Sequence, residues 1–455
     1  MNETHDLLRN QPVRRVFFHY FIPSLFGLML MSVNILIDGI FVGNGVGSVA
    51  LGSVNLAMPV FSLLLSISLW IGIGGGTLYS MHVGSGADTE ARSVFSLSVF
   101  TTVVLVLLIG GVGYFNVGEI AGILGANEDT LPYVIDYLAI MFLFGWLMAL
   151  QQLISIFVRN DGSPRLSMIS LAVTAVSNIG LNYYMIFVLE LGVKGAAIGT
   201  VIAEGIGLLV ILTHFMKKGT KLRAFAFRWS WKSLRSIFSI GFPSYLAEMG
   251  MLVFVTGYNL AVVGLAGTEG VAAFSVINYL HGFMFLSFFG IESALQPMIS
   301  FYYGARQSDR IKRSVEIGER AALILGVSLF AIGLLAAPLL ITLFGLESQA
   351  IKDLAIQGIR LFFIAYLFMG FNFIYMTYFQ SIGQIRPSIF IIVLRSFILM
   401  LFFLWILPKG FGISGVWLSV PVAEALVAIG LFVTVRKRVR SGVYHQRPTT
   451  NEMNG

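Results

Sequence analysis

Apolar residues run in long blocks along the 455-residue chain, broken by short polar stretches, with no period-2 alternation. The blocks approach or exceed the roughly 20 residues that a helix needs to cross a hydrocarbon core about 30 Å thick. A transmembrane barrel would show short alternating segments instead. The pattern predicts helices near 16 to 42, 49 to 80, 93 to 115, 131 to 159, 164 to 187 and 193 to 216. A second set follows near 234 to 265, 271 to 303, 317 to 344, 353 to 381, 387 to 408 and 413 to 435. The second and eighth segments are longer than a bilayer requires, so they tilt or project into water. The expected fold is an all-α integral membrane protein with twelve transmembrane helices.

The two sets can be laid over one another at a separation of about 220 residues. Ile22 to Leu25 (IPSL) answers Phe242 to Tyr245 (FPSY), and Gly86 with Ala87 answers Gly304 with Ala305. Leu191 to Glu204 (LGVKGAAIGTVIAE) answers Phe411 to Glu424 (FGISGVWLSVPVAE), and Gly162 before Pro164 answers Gly383 before Pro387. The expected organisation is an N-terminal six-helix lobe over 1–216, a basic connector over 217–233, a C-terminal six-helix lobe over 234–435 and a tail over 436–455. Six crossings per half give both halves one orientation, an arrangement suited to two bundles rocking about a central site. Pro23, Pro243, Pro297 and Pro421 are candidate bend points.

Composition supports the membrane reading: 57% of residues are hydrophobic and 11% charged, too few charges to cover a soluble surface of this size. The first apolar run is too long for a signal-peptide core and lacks a small-residue cleavage site, so helix 1 is expected to be retained. Of 29 Lys and Arg, 25 fall on one side, counting Arg386 and Arg395 to the stretch around helices 10 and 11. Lys194, Lys352 and Lys409 fall on the other side, and Arg360 lies within a helix. The positive-inside rule then puts both termini in the cytoplasm, which requires an even number of crossings in the plasma or inner membrane. The net charge of +7 reflects those loops and implies no nucleic-acid partner. Lys217 to Arg235 (KKGTKLRAFAFRWSWKSLR) is expected to lie on anionic lipid, and Arg436 onward to form a basic anchor with a tail. With no cysteine, neither disulfides nor thiolate metal sites are available.

An acid inside a bilayer is costly and is therefore a functional candidate. Asp38 leads, lying 23 residues beyond Arg15 and so roughly 35 Å along helix 1, in its outer half. Asn34 lies one turn earlier, and Asn178 and Asn182 share one face of helix 5 at i and i+4. One carboxylate among amides suits a proton, a sodium ion or a cationic compound. At the repeat offset Asp38 faces Tyr258, so the chemistry is expected to be asymmetric. Glu204 and Glu424 occupy equivalent positions of helices 6 and 12 and read as structural or gating elements. Glu248 and Glu292 are further candidates in the C-terminal half, and Arg360 is a candidate to neutralise one of them. No H-E-x-x-H or P-loop is present, and Gly72 to Thr77 (GIGGGT) reads as close helix packing or a hinge. No enzyme constellation, resident metal or cofactor is expected.

The words IPSL with LIDGIFVG on helix 1, GADTEA after helix 2, RNDGSPR after helix 4, SNIGLN followed by GVKGAAIGT, ALQPMISFYYGA on helix 8 and GISGVWLS on helix 12 occur in a characteristic order. In this the chain resembles the multidrug and toxic compound extrusion (MATE) transporters, in particular their bacterial DinF-like and MepA-like branch, over nearly its whole length. The resemblance implies a monomeric secondary antiporter that exports hydrophobic, mostly cationic compounds in exchange for H+ or Na+. A flippase for lipid-linked sugars or other amphiphiles is the alternative. It also implies that Asp38 carries cation coupling, with Asn178 and Thr200 as polar partners and Gln152 as the helix 4 amide. Asn182 departs from the family pattern, where an aspartate is common. Met251 stands where some branches have a helix 7 glutamate, with Glu248 three residues earlier.

Overall fold

In the computed structural model the described residues are 3–217, 219–223, 226–346 and 348–442, and every regular element among them is helical. The long apolar helices are α1 (Val13–Gly45), α2 (Ser48–Ser85), α3 (Asp88–Phe115), α4 (Leu131–Asn160), α5 (Pro164–Val188) and α6 (Gly192–Met216). The helical run Trp231–Gly304 follows, then α9 (Ser308–Thr342), α10 (Gln349–Ser381), α11 (Ile385–Phe411) and α12 (Ile413–Thr434). A straight helix of 74 residues would be about 110 Å long, several times the thickness of a bilayer core. It is not straight: Gly267 leaves helical geometry (φ 54°, ψ −143°) and divides the run into α7 (231–266) and α8 (268–304). Twelve crossings result, as the hydropathy pattern predicts.

Turn geometry gives the repeat a backbone basis. Residues with positive φ mark helix boundaries at Gly47 and Gly267, Gly86 and Arg306, Gly125 and Gly345, and Gly192 and Gly412, each pair 220 apart. Gly162 and Gly383 form a fifth pair, 221 apart. After α2 the amide of Ala87 reaches the His82 carbonyl at 2.8 Å; after α8 that of Gln307 reaches Tyr302 at 2.9 Å. Both are left-handed caps that satisfy the last helical carbonyls. The word match of Gly86 with Gly304 is therefore two residues out of register, because Arg306, not Gly304, adopts the turn conformation. The four prolines proposed as bend points all lie within continuous helix.

The described residues divide into two compact units, one from the N-terminus to 11 and from 22 to 245, the other from 12 to 21 and from 246 to 442. In the first, the glycines of α2 permit close approach. A Cβ at Gly72 would lie 2.7 Å from Ile156, one at Gly75 would lie 2.8 Å from Phe157, and one at Gly74 would meet the Ile237 carbonyl. The opening turns of α7 are fixed here too, as Trp70 Nε1 donates to the Phe238 carbonyl at 2.7 Å. The described part of the connector is docked on α3: Arg92 Nε donates to Lys221 O (2.9 Å), Lys221 Nζ pairs with Asp88 (2.5 Å), and Phe227 packs on Phe100. Lys221 is thus engaged by protein, not left to face lipid. Three fully buried side chains close the same end of the unit, with Asp161 accepting from Tyr79 OH at 2.7 Å and lying 2.8 Å from His214 Nε2.

The second unit has an aromatic core in which Tyr258 stacks on Phe274 (centroids 5.3 Å) and Phe254 lies against Phe362 (5.9 Å). Buried Glu319 accepts from Tyr375 OH (2.8 Å), Arg436 (3.1 Å) and Arg440 (2.7 Å). Two bases of the expected lipid anchor therefore tie the short helix Arg436–Arg440 to α9; residues 443–455 of the tail lie outside the described residues. α9 begins nine residues before the predicted 317 because Ser308 to Glu316 are polar enough to interrupt hydropathy yet remain good helix formers.

Arg306 adopts at φ 57° a conformation that its counterpart Gly86 adopts without a side-chain penalty. Arg306→Gly should stabilise and Gly86→Ala destabilise the protein, each by about 1 kcal/mol. Thermal unfolding of the purified variants checks both signs.

Candidate functional site

Three helices of the first unit bring one carboxylate and four other polar side chains together. Asp38 and Asn34 come from one face of α1, Asn178 and Asn182 from successive turns of α5, and Thr200 from α6. Asn182 Nδ2 donates to Asp38 Oδ1 at 2.8 Å, and Asn34 Nδ2 lies 3.5 Å from Asp38 Oδ2. The Asn178 amide has two ways to bond. With its oxygen toward α5 it accepts from Asn182 at 3.2 Å and donates to Thr200 Oγ1 at 3.1 Å. Rotated by half a turn, its nitrogen reaches Asp38 Oδ1 at 2.6 Å and its oxygen accepts from Thr200 at 3.1 Å. The second orientation satisfies more donors and acceptors, and we adopt it. Asp38 then receives three amide donors and remains partly open, while Asn178 and Asn182 are buried.

Gly199 makes the Asn182 position possible. A Cβ there would collide with Asn182 Oδ1 and lie 3.2 Å from its backbone nitrogen. The other half has Ser419 at this place, its hydroxyl bonded to the Gly415 carbonyl at 2.8 Å. Gly199 went unselected in the sequence, since a glycine in an apolar helix carries no distinguishing pattern.

Gln152 is not part of this cluster. It has no hydrogen bond to Asp38, Asn178, Asn182 or Thr200 among those described. Its neighbour Gln151 is buried and donates to Ser170 Oγ at 3.1 Å.

Set beside known proteins, the MatE family model matches residues 23–184 and 243–406, which together are well over half of the sequence. The chain belongs to the MatE family. Multidrug export protein MepA of Staphylococcus saprophyticus is 26% identical over 421 residues, covering 92% of each chain. The MepA protein of Staphylococcus aureus strain N315 is 28% identical over 430 residues, covering 93% of this chain and 94% of that one. Among solved structures, a MATE protein in complex with MaL6 superposes with a TM-score of 0.92 at 21% identity, covering 98% of this chain and 100% of that one. That likeness speaks for the fold.

In this MatE chain the second half of the repeat carries different chemistry. Tyr258, opposite Asp38, is fully buried, and its hydroxyl accepts from the Val420 amide at 3.2 Å. Glu424 accepts from Asn372 Nδ2 at 2.6 Å and pairs with Arg395 Nε at 3.4 Å. The internal base is thus Arg395 on α11, which the loop count had assigned outside the bilayer; Arg360 is exposed and forms no ion pair among those described. The predicted helix 387 to 408 already contains Arg395; it was the loop count that put this residue on the cytoplasmic side. Glu292 is buried, and Glu248 and Glu204 are half-buried. The three do not converge on one cluster with Glu424 among the described hydrogen bonds.

Gly199→Ala should destabilise the protein by about 1–3 kcal/mol through overpacking. The loss should shrink in an Asn182→Ala background, where the added methyl meets space. A double-mutant cycle by thermal unfolding checks this, and additive effects would refute the assigned contact.

Proposed function

We propose that this MatE-family protein is a secondary antiporter that exports hydrophobic, mostly cationic compounds in exchange for an inward-moving cation. Both termini lie in the cytoplasm in this reading. The observation that carries it is a single carboxylate, Asp38, held by amides between transmembrane helices. Full-length likeness of the chain to MepA multidrug export proteins supports the outward direction and a drug-like cargo.

Low-dielectric surroundings favour the neutral form of a carboxyl group, while a nearby cation favours the ionised form. A proton and a cationic compound therefore exclude each other at Asp38. When Asp38 is ionised it accepts the amide N–H groups and attracts cargo; when protonated it donates to an amide oxygen and releases cargo. Exchange follows if the two states favour opposite openings of the transporter. The donor arrangement supports a proton over sodium as the coupling ion. Sodium needs several oxygens turned inward at once, whereas Asn182, and Asn178 in the adopted orientation, present N–H to Asp38.

The test is counterflow of a fluorescent lipophilic cation in proteoliposomes, with pH and sodium gradients imposed separately. A pH gradient should drive exchange and a sodium gradient should not. Asp38→Asn should abolish exchange in protein that still inserts and folds, and full retention would sink the assignment. Asn178→Ala should slow exchange about tenfold, the effect of one hydrogen bond to a charged group. Gln152→Ala should leave it near wild type.

A further inference from the structure

The second unit contains a cavity for which exchange at Asp38 has no use. Its apolar wall includes Met251, Phe254, Met369, Met376 and Met400, and it opens outward from a small enclosed core. Arg395 and Glu424 line its polar wall. Methionine and phenylalanine here offer a deformable surface for flat or irregular apolar bodies.

Arg395 is held in an unusual way. It comes from Leu394–Leu399, a π-helical stretch of α11, and such stretches often mark functional positions. Its side chain is only 10% exposed. The guanidinium lies over the Phe373 ring at 4.5 Å, and Nε faces Glu424 (3.4 Å) and Ser396 Oγ (3.3 Å). Nη1 is buried with no hydrogen-bond partner among those described. Glu424 has a further strong partner in Asn372, so it orients the guanidinium without saturating it. Nor does the fold require this base: the repeat places Ala175 or Thr174 opposite Arg395, and Glu204 stands without a base at that position. A buried guanidinium N–H without an acceptor is costly, so an acceptor brought to Arg395 Nη1 would be favoured there.

We propose that this cavity is a second ligand site, for an amphiphile whose carboxylate accepts from Arg395 Nη1 and whose apolar or aromatic body packs on the methionine and phenylalanine side chains. Glu424 limits the charge of that ligand. Beside a carboxylate that already half-neutralises Arg395, a monoanion is accepted and a dianion such as phosphate is repelled. The site stands on residues of the second unit alone, so it and exchange at Asp38 can fail separately.

The experiment uses the full-length protein in phosphatidylcholine nanodiscs, titrated with dansylglycine and with its methyl ester, which differ only in the carboxylate. Wild type should bind the acid about tenfold more tightly than the ester, the ratio expected of one charge-assisted hydrogen bond. Arg395→Gln should erase that preference while ester binding persists, and Arg360→Gln, which removes an exposed charge, should leave it intact. Glu424→Gln should tighten acid binding and leave ester binding unchanged. Equal affinity of wild type for acid and ester overturns the proposal, as does a preference that survives Arg395→Gln. If Arg395→Gln loses ester binding and its thermal transition, Glu424→Gln decides: failure to tighten acid binding overturns the proposal.

Discussion

Hydrocarbon offers no hydrogen-bond partner, so each polar side chain in this protein must find one within the chain or face an opening. The consequences run from backbone to chemistry. Helices satisfy their own amides and carbonyls, and left-handed caps such as Ala87 to His82 close their ends. Acids then gather donors: Asp38 has amides, Glu424 has Asn372 and Arg395, Asp161 has Tyr79 and His214, and Glu319 has Tyr375 and two arginines. These clusters differ in what remains open. Asp161 is sealed among fully buried partners, which suits a clasp between helix ends. Asp38 is partly exposed and has neutral partners that can rotate, which suits a site that changes state.

Turns and chemistry follow different rules across the repeat. Five pairs of positive-φ residues recur at 220 or 221, so the two halves share a backbone plan. Side chains at matching places diverge: Asp38 against Tyr258, Gly199 against Ser419, Ala175 or Thr174 against Arg395. Backbone geometry tolerates this because a turn depends on one residue's φ and ψ, whereas a buried charge depends on all its neighbours together. A charge placed in one half need not be matched in the other, and each unit can carry its own ligand chemistry.

Much of this was legible in the sequence, for physical reasons. Apolar block length reports membrane crossing directly, and the lone acid of helix 1 stands out because hydrocarbon makes such residues costly. Helical spacing likewise places Asn178 and Asn182 on one face. What failed were features set by three-dimensional neighbours. Gln152 and Gln151 are adjacent, and only the roll of α4 decides which is buried against Ser170. Arg395 is one charge in an apolar run, and its burial depends on Glu424 being 3.4 Å away. The register of Gly86 with Gly304 failed because matching letters carry no φ, and Arg306 makes the turn at the expense of its own side chain.

Asn182 shows how one substitution of type sets the character of a site. An aspartate there would put two carboxylates within hydrogen-bond reach, and such a pair must share a proton or hold a cation to relieve its repulsion. An asparagine at 2.8 Å removes that repulsion and adds a donor. An amide can also serve either form of its neighbour, giving N–H to a carboxylate or accepting O–H from an acid after a half-turn. The two bonding orientations of Asn178 display this same freedom. A carboxyl group surrounded by amides can therefore gain or lose a proton while staying hydrogen-bonded throughout. Gly199, by leaving no Cβ against Asn182 Oδ1, provides room for the orientation of Asn182 that donates to Asp38.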